Sequence, residues 1–118
     1  MFPASDRGRL FLLAFRMEEG LVPDGAKMDE MIAFGRGLAA QGTLLETAPL
    51  TRNPPHARIE SRDGKTVVLD GPFTETKEVV GGYSLVRAAS RAEAIELAIR
   101  YPHAKWGPVE VRETIERG

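Results

Sequence analysis

Apolar residues follow two rhythms along this chain. Leu10-Phe11-Leu12-Leu13-Ala14-Phe15 is an unbroken apolar run. It is short and carries two aromatics, so it predicts a strand covered on both faces rather than a helix. Beyond Pro23-Asp24-Gly25 the period changes. Met28, Met31, Ile32, Gly35, Leu38 and Ala39 recur at helical spacing and predict a helix from about Gly25 to Ala40, with Asp24 as its cap and Gly42 ending it. Gly35 on that face costs up to ~1 kcal/mol of helix propensity; close approach of the helix to a sheet would explain its presence.

Thr43 to Leu50 reads as a second strand, limited near its end by Pro49. Two short extended runs follow, about Ala57–Arg62 and Lys65–Leu69, joined by Asp63-Gly64, a dipeptide suited to a two-residue hairpin turn. Gly82–Ala88 is a third main strand. Ser90-Arg91-Ala92-Glu93 forms a capping box for a helix reaching about Arg100, with Ala94, Leu97, Ala98 and Tyr101 on one face and Pro102 as its stop. Val109 and Val111 alternate with Glu110 and Arg112 in a last strand.

This order is β-α-β, a hairpin insertion, then β-α-β, the ferredoxin-like α+β pattern: an antiparallel sheet with two helices on one face. The first strand is apolar on both sides, so the face away from the helices also needs cover. A second copy of the chain supplies it most economically, two sheets packed face to face in a homodimer.

Between hairpin and third strand lies Asp70-Gly71-Pro72-Phe73-Thr74-Glu75-Thr76-Lys77-Glu78. In an Asx-turn the Asp70 carboxylate would accept from the backbone two residues on, but Pro72 has no N–H. The acid bonds further along the chain or faces something else. It is either a turn acid or a carboxylate delivered by the hairpin into a cleft; buried there, its pKa would rise and suit it to acid–base work near neutrality.

The run Asp-Gly-Pro-Phe, then Glu-Thr-Lys-Glu, then Gly-Gly-Tyr at 81–83 resembles the signature of the DGPF branch of the YCII-related proteins. Trp106-Gly107-Pro108-Val109-Glu110-Val111-Arg112 resembles that family's closing strand. The likeness runs from about Leu10 to Arg112. It implies a dimeric α+β barrel. Some YCII-related proteins pair an Asp with a His beside the glycine that opens the last strand; here Trp106 fills that place, and His103 is three residues earlier. A related protein class is associated with dehydrochlorination of a hydroxylated aromatic, a proton-abstraction chemistry. DGPF proteins also resemble domains found beside, or fused to, sigma factors of the extracytoplasmic-function type.

Composition narrows the field. The 118 residues suit one domain, 1–118, with 1–8 expected to be a flexible tail. Seventeen acids against 16 bases, a net charge of −1, argue against nonspecific nucleic-acid binding, which rests on clustered positive charge. With no cysteine, disulfides, thiolate chemistry and cysteine zinc sites are excluded. Two widely spaced histidines, His56 and His103, make a poor transition-metal set; His56, after Pro54-Pro55, reads as an exposed loop residue. No metal and no cofactor are expected. No apolar run approaches the ~20 residues of a membrane span, and a cytoplasmic location is the expectation. Gly35-Arg36-Gly37 sits inside a helix and Gly81-Gly82 enters a strand, so neither forms a phosphate loop, and there is no serine nucleophile elbow.

The candidate site is therefore Asp70 and His103 as acid–base groups, with Lys77, Glu75, Tyr83, Trp106 and Arg16 as ligand contacts. Lys77 beside Asp70 would suit a small anionic ligand. Each has a plainer reading. Glu75, Lys77 and Glu78 are equally a solvated charge run, Tyr83 and Trp106 core aromatics, Arg16 a solvent-facing strand end. Two functions stay open: binding of a small ligand with lyase-like acid–base chemistry, or a regulatory module whose Glu75–Glu78 surface docks a sigma factor.

Overall fold

The computed structural model describes residues 8–18, 24–50, 57–70 and 78–116. In chain order the elements are β1 (Arg9–Glu18), α1 (Gly25–Ala40), β2 (Leu44–Pro49), β3 (Ala57–Arg62), β4 (Lys65–Asp70), β5 (Glu78–Ala88), α2 (Arg91–Arg100), a 3₁₀ turn (Pro102–Lys105) and β6 (Val109–Glu113). Four strands form one sheet in the order β2-β5-β1-β6, every neighbouring pair antiparallel. β1 and β2 therefore run parallel with β5 between them, and β5 and β6 run parallel with β1 between them. Each helix is the crossover that such a pair requires. This is the expected α+β arrangement, with β3 and β4 as a separate two-stranded hairpin.

Local chemistry sets the boundaries. The Asp24 carboxylate accepts from the Lys27 amide at 2.8 Å and the Ser90 hydroxyl from the Glu93 amide at 3.1 Å, so each helix starts where a side chain replaces the missing carbonyl. Asp63 and Gly64 turn the hairpin with φ of 52° and 76°, the left-handed pair that a tight hairpin loop needs.

The helix-covered face of the sheet holds the core. Phe11, Leu13, Phe15, Val86 and Ala88 pack against Leu38, Ala94, Leu97, Ala98 and Tyr101. One polar thread crosses it. Tyr101 donates to Ser84 Oγ at 3.0 Å, Ser84 and Thr47 hydroxyls meet at 2.9 Å, and Thr47 donates to the Tyr83 carbonyl at 2.8 Å. Each hydroxyl has one proton, so the chain runs one way, Ser84 donating to Thr47. Burial raises the Tyr101 pKa, partly offset by its bond to Ser84.

Three expectations shift. The buried line of α1 is Met31, Phe34, Gly35 and Leu38, whereas Ile32 is 47% exposed and Ala39 lies outside. The helix is rotated because Phe34 packs on Tyr101, ring centroids 4.7 Å apart and the planes tilted by 59°. Gly35 is buried, yet a Cβ there would meet only Leu44 at an ordinary 3.5 Å, so the packing tolerates this glycine without demanding it. β5 begins at Glu78, earlier than expected, because β1 continues to Glu18 and a register shift after Phe15 brings Val80 opposite Arg16 and Glu78 opposite Glu18.

On the helix-free face, Leu10 is fully buried, Ala14 and Leu85 nearly so, and Leu12 and Tyr83 are half-buried. The Leu10 end is closed by the chain itself. Glu116 accepts from the Leu10 amide at 2.7 Å and from the Arg87 guanidinium at 2.9 Å, and Arg87 also donates to the Gly8 carbonyl. Arg87 first, and the Leu10 amide in addition, hold the Glu116 carboxyl below its ordinary pKa. No helix among the described residues is long and apolar enough to cross a membrane.

Candidate functional site

The end of β1 is the point where the separate parts of the chain meet. The Arg16 amide donates to the Pro108 carbonyl at 3.0 Å. The Arg16 carbonyl lies 2.7 Å from His103 Nε2; a carbonyl only accepts, so Nε2 carries the proton and donates. The 3₁₀ turn brings His103 there, and the Trp106 and Gly107 amides both close on its carbonyl. Gly107 is required: a Cβ would sit 2.8 Å from the Arg16 oxygen and 3.0 Å from His103 Nε2.

His103 is 5% exposed. Its ring packs on Phe15 at 5.4 Å and meets Trp106 edge-on at 6.3 Å. Both contacts lie on the helix side of the sheet. Half-buried Trp106 has the Lys27 and Lys105 ammonium groups 5.4 and 5.5 Å from its ring centre, a favourable placement for cations over an indole. Lys105 also pairs with Glu30 at 2.5 Å.

The Arg16 side chain lies on the other side. Leu10, Leu12, Ala14 and Arg16 share the helix-free face by strand alternation. Arg16 pairs there with Glu110 at 3.0 Å, which belongs to the residue opposite Ala14 on β6. Tyr83 is opposite Ala14 on β5, one step from Arg16 on the same face. The sheet thus divides the expected site. Arg16 and Tyr83 share the helix-free face, with Glu110 added; His103 and Trp106 are in the helix layer, with Lys27, Lys105 and Glu30 added. His103 touches the first group only through the Arg16 backbone.

Of the motif, the last residue, Glu78, is at this end. Asp70 closes β4, its backbone opposite Ala57, and the chain re-enters the sheet at Glu78, opposite Glu18. Glu75 and Lys77 lie outside the described residues, as does His56. Glu110 was visible in the alternation of the last strand. Lys27 and Lys105 carried no signal, because their meeting at Trp106 depends on how α1 packs beside the 3₁₀ turn.

An open groove of about 540 Å³ lies in the helix layer, lined by Phe34, Ile99, Tyr101 and Pro102 among apolar residues and by Glu30, Arg100 and Lys105. It is across the sheet from the Arg16 side chain. Among the described residues no group of three or more His, Cys, Asp or Glu is arranged to hold a metal ion.

The family model of the YCII-related domain matches residues 9–117. An uncharacterised protein of Rhizobium meliloti (strain 1021) is 35% identical over 91 residues, covering 75% of this chain and 73% of that protein.

Proposed function

The chain belongs to the YCII-related family, and on that premise we propose that it is a homodimeric small-molecule-binding protein whose cleft opens on the helix-free face at the Arg16 end. The motif from Asp70 to Glu78 supports assigning it to the DGPF branch. The observation that carries the reading is the register of β5. Val80 opposite Arg16 and Glu78 opposite Glu18 mean that the motif feeds into the sheet at the end where Arg16, Glu110 and Tyr83 gather.

The helix-free face, apolar at Leu12, Ala14 and Leu85, packs against its copy as a dimeric α+β barrel. Sheets stacked at ~10 Å leave room for a ligand only at their ends. The ligand is a small anion. Arg16 orients it as a charged donor, Lys77 adds a second cation, and Tyr83 offers an aromatic wall with a polar tip. Asp70 is the acid–base group of a lyase-like proton transfer, Glu75 a further contact. His103 and Trp106 position the end of β1 from beneath. No observation favours the sigma-factor docking surface over this cleft.

The test is thermal stabilisation by a panel of benzoate, phenolate, succinate and inorganic phosphate at 10 mM. A ligand present at ~100 times its Kd stabilises by ~2.7 kcal/mol, a shift of several degrees for a domain of this size. Asp70→Asn and Arg16→Gln should each abolish the shift while leaving the unliganded melting temperature within about 2 °C. Equal stabilisation of all three proteins, or no response to any probe, counts against the cleft.

A further inference from the structure

Among the described residues the β3–β4 hairpin has no packing partner in its own chain. It is a sheet by itself, and neither strand makes more than slight contact with another described element. Its two faces differ. On one, Arg58, Glu60 and Arg62 stand opposite Leu69, Val67 and Lys65, Glu60 pairing with Arg62 at 2.7 Å and Arg58 at 3.7 Å. On the other, Ile59 and Val68 stand directly opposite one another, 70% and 63% exposed. An isolated two-stranded hairpin is marginal in water. Two large branched side chains side by side on the face away from the Arg–Glu pairs call for a surface to cover them.

Interface area identifies that surface. β2 and β6 extend the sheet over about five residues of pairing. At ~3.4 Å per residue and ~4.8 Å per strand, the four-stranded part of the helix-free face is about 17 by 19 Å, and β1 and β5 alone carry it about 10 Å further, to Glu18 and Glu78. Its Leu10 end is already closed by Arg87 and Glu116. Two such faces bury on the order of 850 Å² in projection and, allowing for relief, roughly 1,200 Å², the lower limit at which stable interfaces begin. A hairpin face of six residues by two strands is about 20 by 10 Å. Two arms, each covering as much surface as it buries, add on the order of 800 Å², which lifts the total from the lower limit of the standard range toward its upper end.

We infer that the β3–β4 hairpin is a dimer arm that lays Ile59 and Val68 on a second copy of this chain. This rests on the homodimer proposed above and names the element that strengthens it. Asp70 closes β4 two residues beyond Val68, so seating the arm also fixes the strand that carries the motif acid.

The chain has no cysteine, so Val68→Cys introduces a single thiol. Its maleimide labelling rate is measured at concentrations on both sides of that variant's own dimer dissociation constant, determined by analytical ultracentrifugation. Labelling at least tenfold slower in the dimer is expected, while Glu96→Cys on exposed α2 labels equally fast in both states. In parallel, Ile59→Thr with Val68→Thr keeps β-branched side chains in the hairpin and removes apolar surface; it should raise the dimer dissociation constant by at least thirtyfold without lowering the melting temperature of the monomer. A wild-type chain that stays monomeric at 100 µM overturns the dimer and the arm with it. A stable dimer whose Val68→Cys thiol labels at the monomer rate, and whose double Thr variant dissociates as wild type does, overturns the arm alone.

Discussion

Gly107→Ala is the sharpest probe of how the end of β1 is held. The new Cβ would lie 2.8 Å from the Arg16 carbonyl oxygen and 3.0 Å from His103 Nε2. The ring could swing aside, but the carbonyl belongs to a strand paired with β5 and β6 and cannot yield without loosening the sheet. Overpacking of this kind costs ~1–3 kcal/mol. Displacing His103 also breaks its 2.7 Å bond and leaves polar groups buried without partners, a further ~1–3 kcal/mol. Some relaxation is shared between the two, so the expected loss is about 3 kcal/mol, or roughly 10 °C in melting temperature for a domain of this length. Urea unfolding measures it, with the slope checked for constancy. A double-mutant cycle with His103→Ala separates the contributions: removing the ring relieves one clash but not the backbone one, so the two changes should couple by about 1–2 kcal/mol. A Gly107→Ala protein within 0.5 kcal/mol of wild type would refute the account, as would strict additivity with His103→Ala.

Three further outcomes follow from the same structure. Gly37→Ala should stabilise by about 0.5–1 kcal/mol in thermal or urea unfolding, since nothing lies within 4 Å of the added methyl and its φ is not left-handed. In the core, Ser84→Ala should cost about 2–3 kcal/mol and Tyr101→Phe only about 1: the first strands the buried Tyr101 donor and breaks the thread from Tyr101 to Thr47, whereas the second leaves Ser84 still donating. The Glu116 carboxyl is held low by Arg87, so its clasp on Leu10 is fully formed above its ordinary value of 4.5 and is lost as pH falls through the lower folded value; melting temperatures from pH 7 to 3 should show Glu116→Gln less stable at neutrality and converging on wild type in acid.

Much of the architecture was legible because its determinants are local. Asp24, Ser90 and Asp63-Gly64 do their work within three residues, through a side-chain cap or a left-handed turn. What was not legible depends on partners far along the chain. The charged start of β5 reads as loop, and only pairing with Met17 and Glu18 across the register shift makes it strand. The helical stripe predicted from spacing runs through Ile32, and it is Tyr101, some 70 residues on, that takes Phe34 instead. Leu10 looked like a residue awaiting a second subunit; Glu116, at the opposite end of the chain, closes that part of the face instead.

The same distinction bears on the candidate site. A motif shows which residue types occur together, but not which side of a sheet they face. Alternation in β1 puts Arg16 opposite in sense to Phe15, and Phe15 is the residue His103 packs on. An imidazole on that side cannot reach a ligand lying over Arg16 without passing through the sheet, and its donor nitrogen is already committed to the Arg16 carbonyl. With the ligand over Arg16, as proposed, the His–Asp pair implied by the family resemblance would need a different histidine, and this chain has only His56 besides. Among the described residues the helix-free face at this end offers Arg16, Glu110 and Tyr83, a guanidinium, a carboxylate and a phenol. In the proposed cleft that set suits holding an anion, and it makes Arg16 rather than His103 the residue on which binding should depend.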